Sequence, residues 1–199
     1  MFAEMKLSDF LEKIAAKTPT PGGGSVSAAV GAMGAALGVM TARYSDMPEP
    51  EHALDEIKNE FLVLVDSDAE AYGQVNSAMA LPKDSDDTKR RRKEALQIAL
   101  GEASEVPLKG MLLGLRGLKV IADLAPKCNK NLTSDLEGAA TFLESALNGC
   151  GENVKINAVS LTDKVRRAKL EKEHARLEEE GRSLAAKVRQ IVEGLTVKK

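Results

Sequence analysis

The chain has 199 residues, 43% of them hydrophobic, which is enough for one domain with a buried core and too few for two large domains. Charged residues make up 29% but nearly cancel, to a net charge of −2, and aromatic residues make up only 3%. A nearly neutral chain lacks the basic surface that binds nucleic acid, and few rings are present to stack on bases. We therefore expect no nucleic-acid partner.

The cysteines, the histidines and the N-terminal residues bear on disulfides, metal binding and export. Cys128 and Cys150 are too few for a disulfide framework, and His52 and His174 have no neighbours at metal-ligand spacing. Residues 1–6 show no basic stretch followed by an apolar run, so a signal peptide is not expected. These features predict a cytoplasmic protein without a metal site.

Strand signals are nearly absent and Ala, Leu, Glu and Lys dominate, so the sequence predicts a single all-α domain over residues 1–199. The predicted helices cover residues 7–16, 24–43, 51–81, 85–126, 134–149 and 153–195. Pro107 is predicted to kink or break the fourth helix. Ser134 and Glu137 have the spacing of a capping box for the fifth helix, and Gly149 and Gly151 are predicted to end it.

The second predicted helix has two stripes of residues at helical spacing. One stripe consists of larger apolar side chains, namely Val26, Val30, Met33, Leu37 and Met40. The other consists of small residues, namely Gly24, Ala28, Gly31, Ala35 and Gly38. Because each Gly in a helix costs roughly 1 kcal/mol relative to Ala, the small stripe indicates close approach of another helix. We favour a core helix, or a helix packed against its mate in a homo-oligomer, over a membrane span.

The third predicted helix carries a carboxylate on an apolar stripe. The stripe is formed by Phe61, Val65, Asp68, Tyr72, Val75 and Met79 and is predicted to face the core. Asp68 must therefore be paired, hydrogen-bonded or open to a cleft. In a partly dry cleft its pKa would rise, which suits proton transfer near neutral pH. A buried structural ion pair is the alternative. Asp66 lies on another face of the same helix.

Gly22, Gly23, Gly24 and Ser25 open the second helix. Glycines permit positive φ and close approach of a ligand, and a helix start offers free N–H groups. A flexible turn is the alternative. The lysine and threonine of a phosphate-binding loop are missing, so a nucleoside triphosphate is not expected.

Several polar residues further along have both a structural and a binding interpretation. The group of Asn129, Asn131, Ser134 and Asp135 fits turn and capping chemistry. Asn153 and Asn157 lie one helical turn apart and together could bind the amide edge of a heterocycle. The basic run over residues 89–93 is typical of a solvated face, with binding of an anionic ligand tail as the alternative.

Together these segments resemble the formimidoyltetrahydrofolate cyclodeaminase and methenyltetrahydrofolate cyclohydrolase family over nearly the whole chain. The resemblance rests on the order of six stretches: TPTPGGGSV at 18–26, LVDSDAEAY at 64–72, ALPK at 80–83, VPL at 106–108, Ser-Asp followed by Ala-Ala within 134–140, and NVKIN at 153–157. Cys128, Glu137 and the Met79 and Ala80 pair depart from the family pattern.

The resemblance implies an up-and-down bundle of long helices that forms a homodimer. It also implies a tetrahydrofolate derivative as substrate, held in a cleft without a tightly bound cofactor. One implied reaction is the reversible hydrolysis of 5,10-methenyltetrahydrofolate to 10-formyltetrahydrofolate. The other closes 5-formimidoyltetrahydrofolate to the methenyl compound and releases ammonia. We expect the hydrolysis, because no formimidoyltransferase domain accompanies the sequence.

The resemblance makes Asp68 the expected general acid/base. The expected substrate-binding residues are Gly22, Gly23, Gly24, Ser25, Asp66, Tyr72, Ser134, Asp135, Asn153 and Asn157. A different class of function, a non-catalytic helical interaction protein, is the alternative. Its partner surface would be the C-terminal seam, formed by Leu170, Leu177, Leu184, Val188, Ile191 and Leu195.

Overall fold

The computed structural model describes residues 1–196, which form long helices without a strand in this part of the chain. The α-helices are α1 (Leu7–Ala15), α2 (Gly23–Arg43), α3 (Pro48–Met79), α4 (Asp86–Leu124), α5 (Thr133–Val159) and α6 (Lys164–Thr196). Short 3-10 helices lie at Phe2–Glu4, Ala125–Lys127 and Lys130–Leu132. The all-α prediction is confirmed, while the last three residues of the domain expected over residues 1–199 lie outside the described chain.

Consecutive long helices from α2 to α6 pack against one another through short connections, and α2 lies at the centre of the core against α3 and α5. All residues of its small stripe are buried. A Cβ atom at Gly31 would lie 2.6 Å from the Phe61 ring, and one at Gly38 would lie 2.8 Å from Cδ1 of Ile121. The predicted close approach is therefore confirmed, and it occurs within one chain.

The apolar character of α2 follows from this central position. The helix is long and apolar enough to cross a membrane, with a mean hydropathy of 1.5 over its most apolar window. Of that window, 56% is buried inside the fold. Its sequence is thus accounted for by a core helix, as predicted.

Two predicted helix boundaries are wrong for physical reasons. The start of α3 is at Pro48, because a proline in the first turn needs no N–H donor. The fifth helix does not end at Gly149 and Gly151 but continues to Val159. A Cβ atom at Gly149 would lie 2.3 Å from Oγ of Ser27, and one at Gly151 would lie 2.8 Å from Nε2 of His174. These glycines are packing positions inside the helix.

The capping box predicted for Ser134 and Glu137 is also absent. The N-cap of α5 is Leu132, which makes no side-chain capping bond. A capping box forms instead at the start of α4, where the side chains of Ser85 and Thr88 each accept the other residue's backbone N–H. The turn chemistry predicted for Asn129 is present, since its side chain accepts the backbone N–H of Asn131.

Pro107 lies within α4 and does not break it. The C-terminal seam of α6 packs on α5 and α4 of the same chain. Leu170, Leu177 and Val188 of this seam are buried there. Much of the surface expected to bind a separate partner is therefore already covered within the chain.

The close packing of α2 predicts unequal effects for two Gly→Ala substitutions. Gly31→Ala is expected to lower the free energy of unfolding by about 1–3 kcal/mol, because the new methyl group overlaps the Phe61 ring. Gly73→Ala in α3, where a Cβ atom meets nothing within 4 Å, is expected to raise it by about 0.5–1 kcal/mol. Urea denaturation measures both values, and equal effects would contradict the close approach of α2 to α3.

Candidate functional site

Asp68 of α3 meets the first turn of α2. Its Oδ2 atom accepts the backbone N–H of Ser25 at 2.8 Å and the Ser25 hydroxyl at 3.1 Å. Both donors bind the same oxygen, so Oδ1 has no part in these bonds. The carboxylate therefore caps α2 from a neighbouring helix, at the end where the helix dipole favours negative charge.

Glycine at position 24 makes this contact possible. A Cβ atom there would lie 2.0 Å from Oδ1 of Asp68 and 2.4 Å from its Cγ. The expected use of positive φ is not found, since no glycine among the described residues has a positive φ. The glycines at this helix start thus act through the missing side chain and not through unusual backbone angles.

The environment of Asp68 raises its pKa. Burial is the main cause, and the two hydrogen bonds from Ser25 oppose it. Among the described residues no lysine, arginine or histidine forms a salt bridge with Asp68, so the buried ion pair that the sequence left open is not present. Behind the carboxylate, burial and the charge of Asp68 raise the pKa of the Cys150 thiol to about 12. The result is a carboxylate that takes up a proton more readily than an exposed one.

Asp68 lies in a cleft whose volume is about 340 Å³. The cleft collects residues from the α1–α2 connection and from α2, α3, α4 and α5. They are Pro19, Thr20, Gly22, Gly23, Asp68, Ala71, Tyr72, Val75, Met79, Leu100, Ala103, Asn153, Ile156, Asn157 and Ser160. A mostly apolar wall with a few convergent polar groups is typical of small-molecule sites.

Two asparagines of α5 form a polar wall of the cleft that also contains Asp68. Nδ2 of Asn153 donates to the Gly149 carbonyl at 2.9 Å, and Nδ2 of Asn157 donates to the Ala103 carbonyl at 3.0 Å. Each NH₂ group uses one of its two hydrogens on a backbone carbonyl, which fixes the orientation of the amide and leaves its Oδ1 atom as an acceptor. The described residues therefore give this wall hydrogen-bond acceptors, which suit a ligand edge with N–H donors.

Six of the residues that the sequence predicts for the site line one cleft, namely Gly22, Gly23, Asp68, Tyr72, Asn153 and Asn157. Gly24 and Ser25 lie directly behind it, buried against Asp68. Four other residues that line the cleft could not be predicted from the sequence, because apolar or small side chains carry no chemical signature. They are Leu100, Ala103, Ile156 and Ser160.

Three further predicted site residues lie away from this cleft. Asp66 accepts the backbone N–H groups of Phe2 at 2.5 Å and Ala3 at 3.4 Å, and so holds the N-terminal segment. Ser134 and Asp135 lie in the first turn of α5. The 19 residues between Ser134 and Asn153 correspond to roughly 28 Å of helix. These two residues are therefore at the other end of α5 from the cleft.

Most of the basic run over residues 89–93 has the solvated arrangement. Lys89 pairs with Asp86 at 3.1 Å, and both Arg90 and Arg91 pair with Asp87 at 2.7 and 2.9 Å. All three cations are exposed. Exposed ion pairs one helical turn apart add little stability. The basic run is therefore explained as a charged surface of the helix that faces solvent.

A second concavity has a different character. It has a volume of about 280 Å³ and is bounded by Phe2, Phe10, Met33, Leu62 and other apolar side chains. Lys58 is the sole charged residue that lines it in the described chain. Without converging polar groups it offers little for chemistry. Residues 1–196 also contain no group of three or more His, Cys, Asp or Glu side chains that could hold a metal ion.

Known proteins are similar to this chain in sequence and architecture. Residues 6–176 match the formiminotransferase-cyclodeaminase family. Formimidoyltransferase-cyclodeaminase of Rattus norvegicus is 33% identical over 196 residues, which cover 93% of this chain and 36% of that protein. Methenyltetrahydrofolate cyclohydrolase of Methylorubrum extorquens is 30% identical over 169 residues, which cover 79% of this chain and 81% of that protein.

A solved structure agrees with the sequence matches. The crystal structure of formiminotetrahydrofolate cyclodeaminase from Thermotoga maritima superposes with a TM-score of 0.88 at 28% identity. The superposition covers 98% of this chain and 100% of that one.

The fold, the cleft and these relatives define an all-helical enzyme. The chain belongs to the formiminotransferase-cyclodeaminase family, which confirms the resemblance carried by the six sequence stretches. It spans about a third of the length of the rat relative, 36%. The alternative of a non-catalytic interaction protein loses its support, because these relatives are named for enzymatic activities.

The raised pKa of Asp68 predicts a pH-dependent effect on stability. The folded chain keeps a proton on Asp68 at pH values where the unfolded chain has released it. Its protonation therefore stabilises the fold below the ordinary aspartate pKa, and this stabilisation is lost as the pH rises through the raised pKa. Asp68→Asn cannot titrate, so its stability relative to the wild type is expected to increase from acidic to neutral pH. Urea unfolding at both ends of this window measures the difference, and a constant difference would contradict the raised pKa.

Proposed function

We propose that this chain hydrolyses 5,10-methenyltetrahydrofolate to 10-formyltetrahydrofolate, reversibly, with Asp68 as general acid/base. The observation that carries the proposal is a carboxylate of raised pKa in a cleft that also contains two asparagine amides. No cation within residues 1–196 pairs with this carboxylate. The cyclohydrolase of Methylorubrum extorquens supports the choice of reaction, because the match covers most of both chains.

The cleft suits the heterocyclic head of a reduced folate. Its volume of about 340 Å³ lies near the lower end of the range of roughly 300–1,000 Å³ that is usual for ligand sites. Asn153 and Asn157 would accept N–H groups of the pterin, and the Tyr72 ring and Val75 would cover its flat apolar surface. The glutamate end of the substrate would extend out of the cleft.

In the proposed hydrolysis, water attacks the carbon that joins N5 and N10 while the Asp68 carboxylate takes one of its protons. The tetrahedral intermediate then collapses to the formyl group on N10. The bond from carbon to N5 breaks, N5 receives the proton held by Asp68, and the hydroxyl proton leaves to solvent. A raised pKa helps both halves, because the same group must accept a proton and then return it.

Ser25 has a supporting part in this scheme. It fixes Oδ2 through two hydrogen bonds, so Oδ1 is the oxygen available for proton transfer. The same bonds favour the carboxylate form and limit how far burial raises the pKa of Asp68. Ser25 would thus orient and tune the carboxylate and would not contact the substrate itself, as its complete burial suggests.

The second candidate reaction is closure of 5-formimidoyltetrahydrofolate with release of ammonia. It is favoured by the cyclodeaminase from Thermotoga maritima, which matches this chain over the full length of that chain. Here N10 attacks the carbon of the protonated formimidoyl group, whose nitrogen becomes an amino group. Asp68 takes the proton from N10 and passes it to this amino group, which leaves as ammonia. The demands on the carboxylate are the same in both reactions, so the cleft alone suits either one.

We also propose a cytoplasmic homodimer that holds no tightly bound cofactor, as the family resemblance implies. The small stripe of α2 gives no support for the dimer, because its residues are buried and its glycines already face α3 and α4 of the same chain. A monomeric mass in light scattering at micromolar protein would contradict the dimer.

Asp68→Asn is expected to lower turnover of the folate substrate by roughly 10²–10⁴-fold, because the amide cannot exchange a proton. The amide oxygen can still accept from Ser25, so the fold is expected to persist. Asp66→Asn is the matched control on the same helix, and its turnover is expected to stay within a few-fold of the wild type, since Asp66 holds the N-terminal segment. Near-wild-type turnover in Asp68→Asn would contradict the assignment.

Parallel assays on both folates decide between the two reactions. A cyclohydrolase consumes the methenyl absorbance in water without producing ammonia. A cyclodeaminase produces that absorbance from 5-formimidoyltetrahydrofolate together with ammonia in equal amount. We expect the first result with the purified chain, and ammonia release without hydrolysis of the methenyl compound would reverse the choice.

A further inference from the structure

Pro107 changes the hydrogen bonding of α4 beside the cleft. In an α-helix the carbonyl of residue i accepts the N–H of residue i+4, and proline has no N–H. The carbonyl of Ala103 therefore lacks its usual partner inside α4. The chain supplies one from another helix, because Nδ2 of Asn157 in α5 donates to this carbonyl at 3.0 Å.

The neighbouring carbonyls of α4 receive side-chain donors as well. The Leu100 carbonyl accepts the Ser104 hydroxyl at 2.8 Å, and the Gly101 carbonyl accepts Nη2 of Arg166 at 2.8 Å. These two carbonyls still have residues with N–H groups four positions later, so their side-chain donors are additional. Asn157 differs in that it replaces a donor that the sequence has removed.

The bond to Ala103 fixes which way the Asn157 amide points. A carbonyl oxygen can only accept, so the NH₂ end of the amide must face it. The Oδ1 end is then left for the cleft, whose wall includes both Asn157 and Ala103. Without the vacant carbonyl, the amide could rotate and present either end.

We propose that Pro107 is a positioning residue. By withholding an N–H from the Ala103 carbonyl, it holds the Asn157 amide with Oδ1 as a fixed acceptor for an N–H group of the bound reduced folate. This inference rests on the proposed function for the identity of the ligand. It adds that Pro107, which does not line the cleft, determines which atom of the Asn157 amide is available to the N–H donors of that ligand.

Pro107→Ala tests the inference, because it gives residue 107 an N–H for the Ala103 carbonyl, so that Asn157 no longer supplies the donor that the sequence has removed. The melting temperature is expected to be kept or raised, since proline is unfavourable inside a helix. KM for 5,10-methenyltetrahydrofolate is expected to rise about tenfold, the loss of one hydrogen bond, while kcat changes by less than about threefold. A kept melting temperature with KM unchanged within about twofold would overturn the proposal.

Ser104→Ala is the control. It removes the donor to the Leu100 carbonyl on the same stretch of α4 and leaves Asn157 in place. It is expected to lower the melting temperature without changing KM. A rise in KM equal to that of Pro107→Ala would indicate a general disturbance of α4 and would count against a positioning role.

Asn157→Asp supplies a readout that needs no substrate. The carboxylate cannot donate to the Ala103 carbonyl, so this change is expected to lower the melting temperature. The loss is expected to be smaller in the Pro107→Ala background, where residue 107 supplies the donor. Equal losses in both backgrounds would overturn the proposed link.

The two proposals fail in different ways. If the proposed folate chemistry is wrong altogether, the wild-type chain turns over neither folate. If it releases ammonia without hydrolysis, only the choice of reaction is wrong, and KM is then measured on 5-formimidoyltetrahydrofolate. If only the positioning role is wrong, the wild type is active and the variants at Pro107 keep its KM.

Discussion

The close approach of α2 to its neighbours is the constraint on which the rest of the structure depends. Helices with ordinary side chains pack with their axes about 8–10 Å apart, and a stripe of Gly and Ala allows a closer distance. Along most of α2 this space is filled by apolar groups such as the Phe61 ring and Ile121. At the first turn it is filled by the carboxylate of Asp68. One packing feature thus builds the core at one end of the helix and the site at the other.

This arrangement explains how a half-buried carboxylate is accommodated without a cation from the described part of the chain. Its charge is met by a backbone N–H at a helix start and by one hydroxyl group, both from Ser25. Two neutral donors offset only part of the effect of burial, so the pKa of Asp68 stays raised. A lysine or arginine in their place would lower the pKa of Asp68, and the carboxylate would then take up a proton less readily. A neutral environment is therefore better matched to a group that takes up and returns a proton.

The sequence was informative where periodicity and residue chemistry agreed. The stripe of small residues and the carboxylate on an apolar stripe each broke a local rule, and the structure resolves both at the same contact between α2 and α3. The pairing of Asn153 and Asn157 could also be read from one helical turn of spacing. These features depend on residues close together in the sequence, so they can be recognised without knowledge of the tertiary structure.

Other features depended on contacts between distant residues and could not be read in this way. Gly149 and Gly151 resemble a helix end, yet Ser27 and His174 require the space above them. Ser134 and Asp135 were predicted to bind the substrate, yet they lie at the end of α5 that is far from the cleft. Asp66 is one of two nearby aspartates, and only the folded chain shows that it binds the N-terminal segment. Apolar cleft residues such as Leu100 carry no signal before the helices are packed.

The bonds that orient the site also bear on how the chain folds. Ser25 and Asp68 are 43 residues apart, and Ala103 and Asn157 are 54 residues apart. Closing such long loops costs entropy that a single helix does not have to overcome. A compact intermediate could therefore contain nearly all of the native helix and still lack both long-range contacts. These are the bonds from Ser25 to the Asp68 carboxylate and the bond from the Asn157 amide to the Ala103 carbonyl. Circular dichroism would record such a state as almost native, although it would have no cleft in which to bind a ligand.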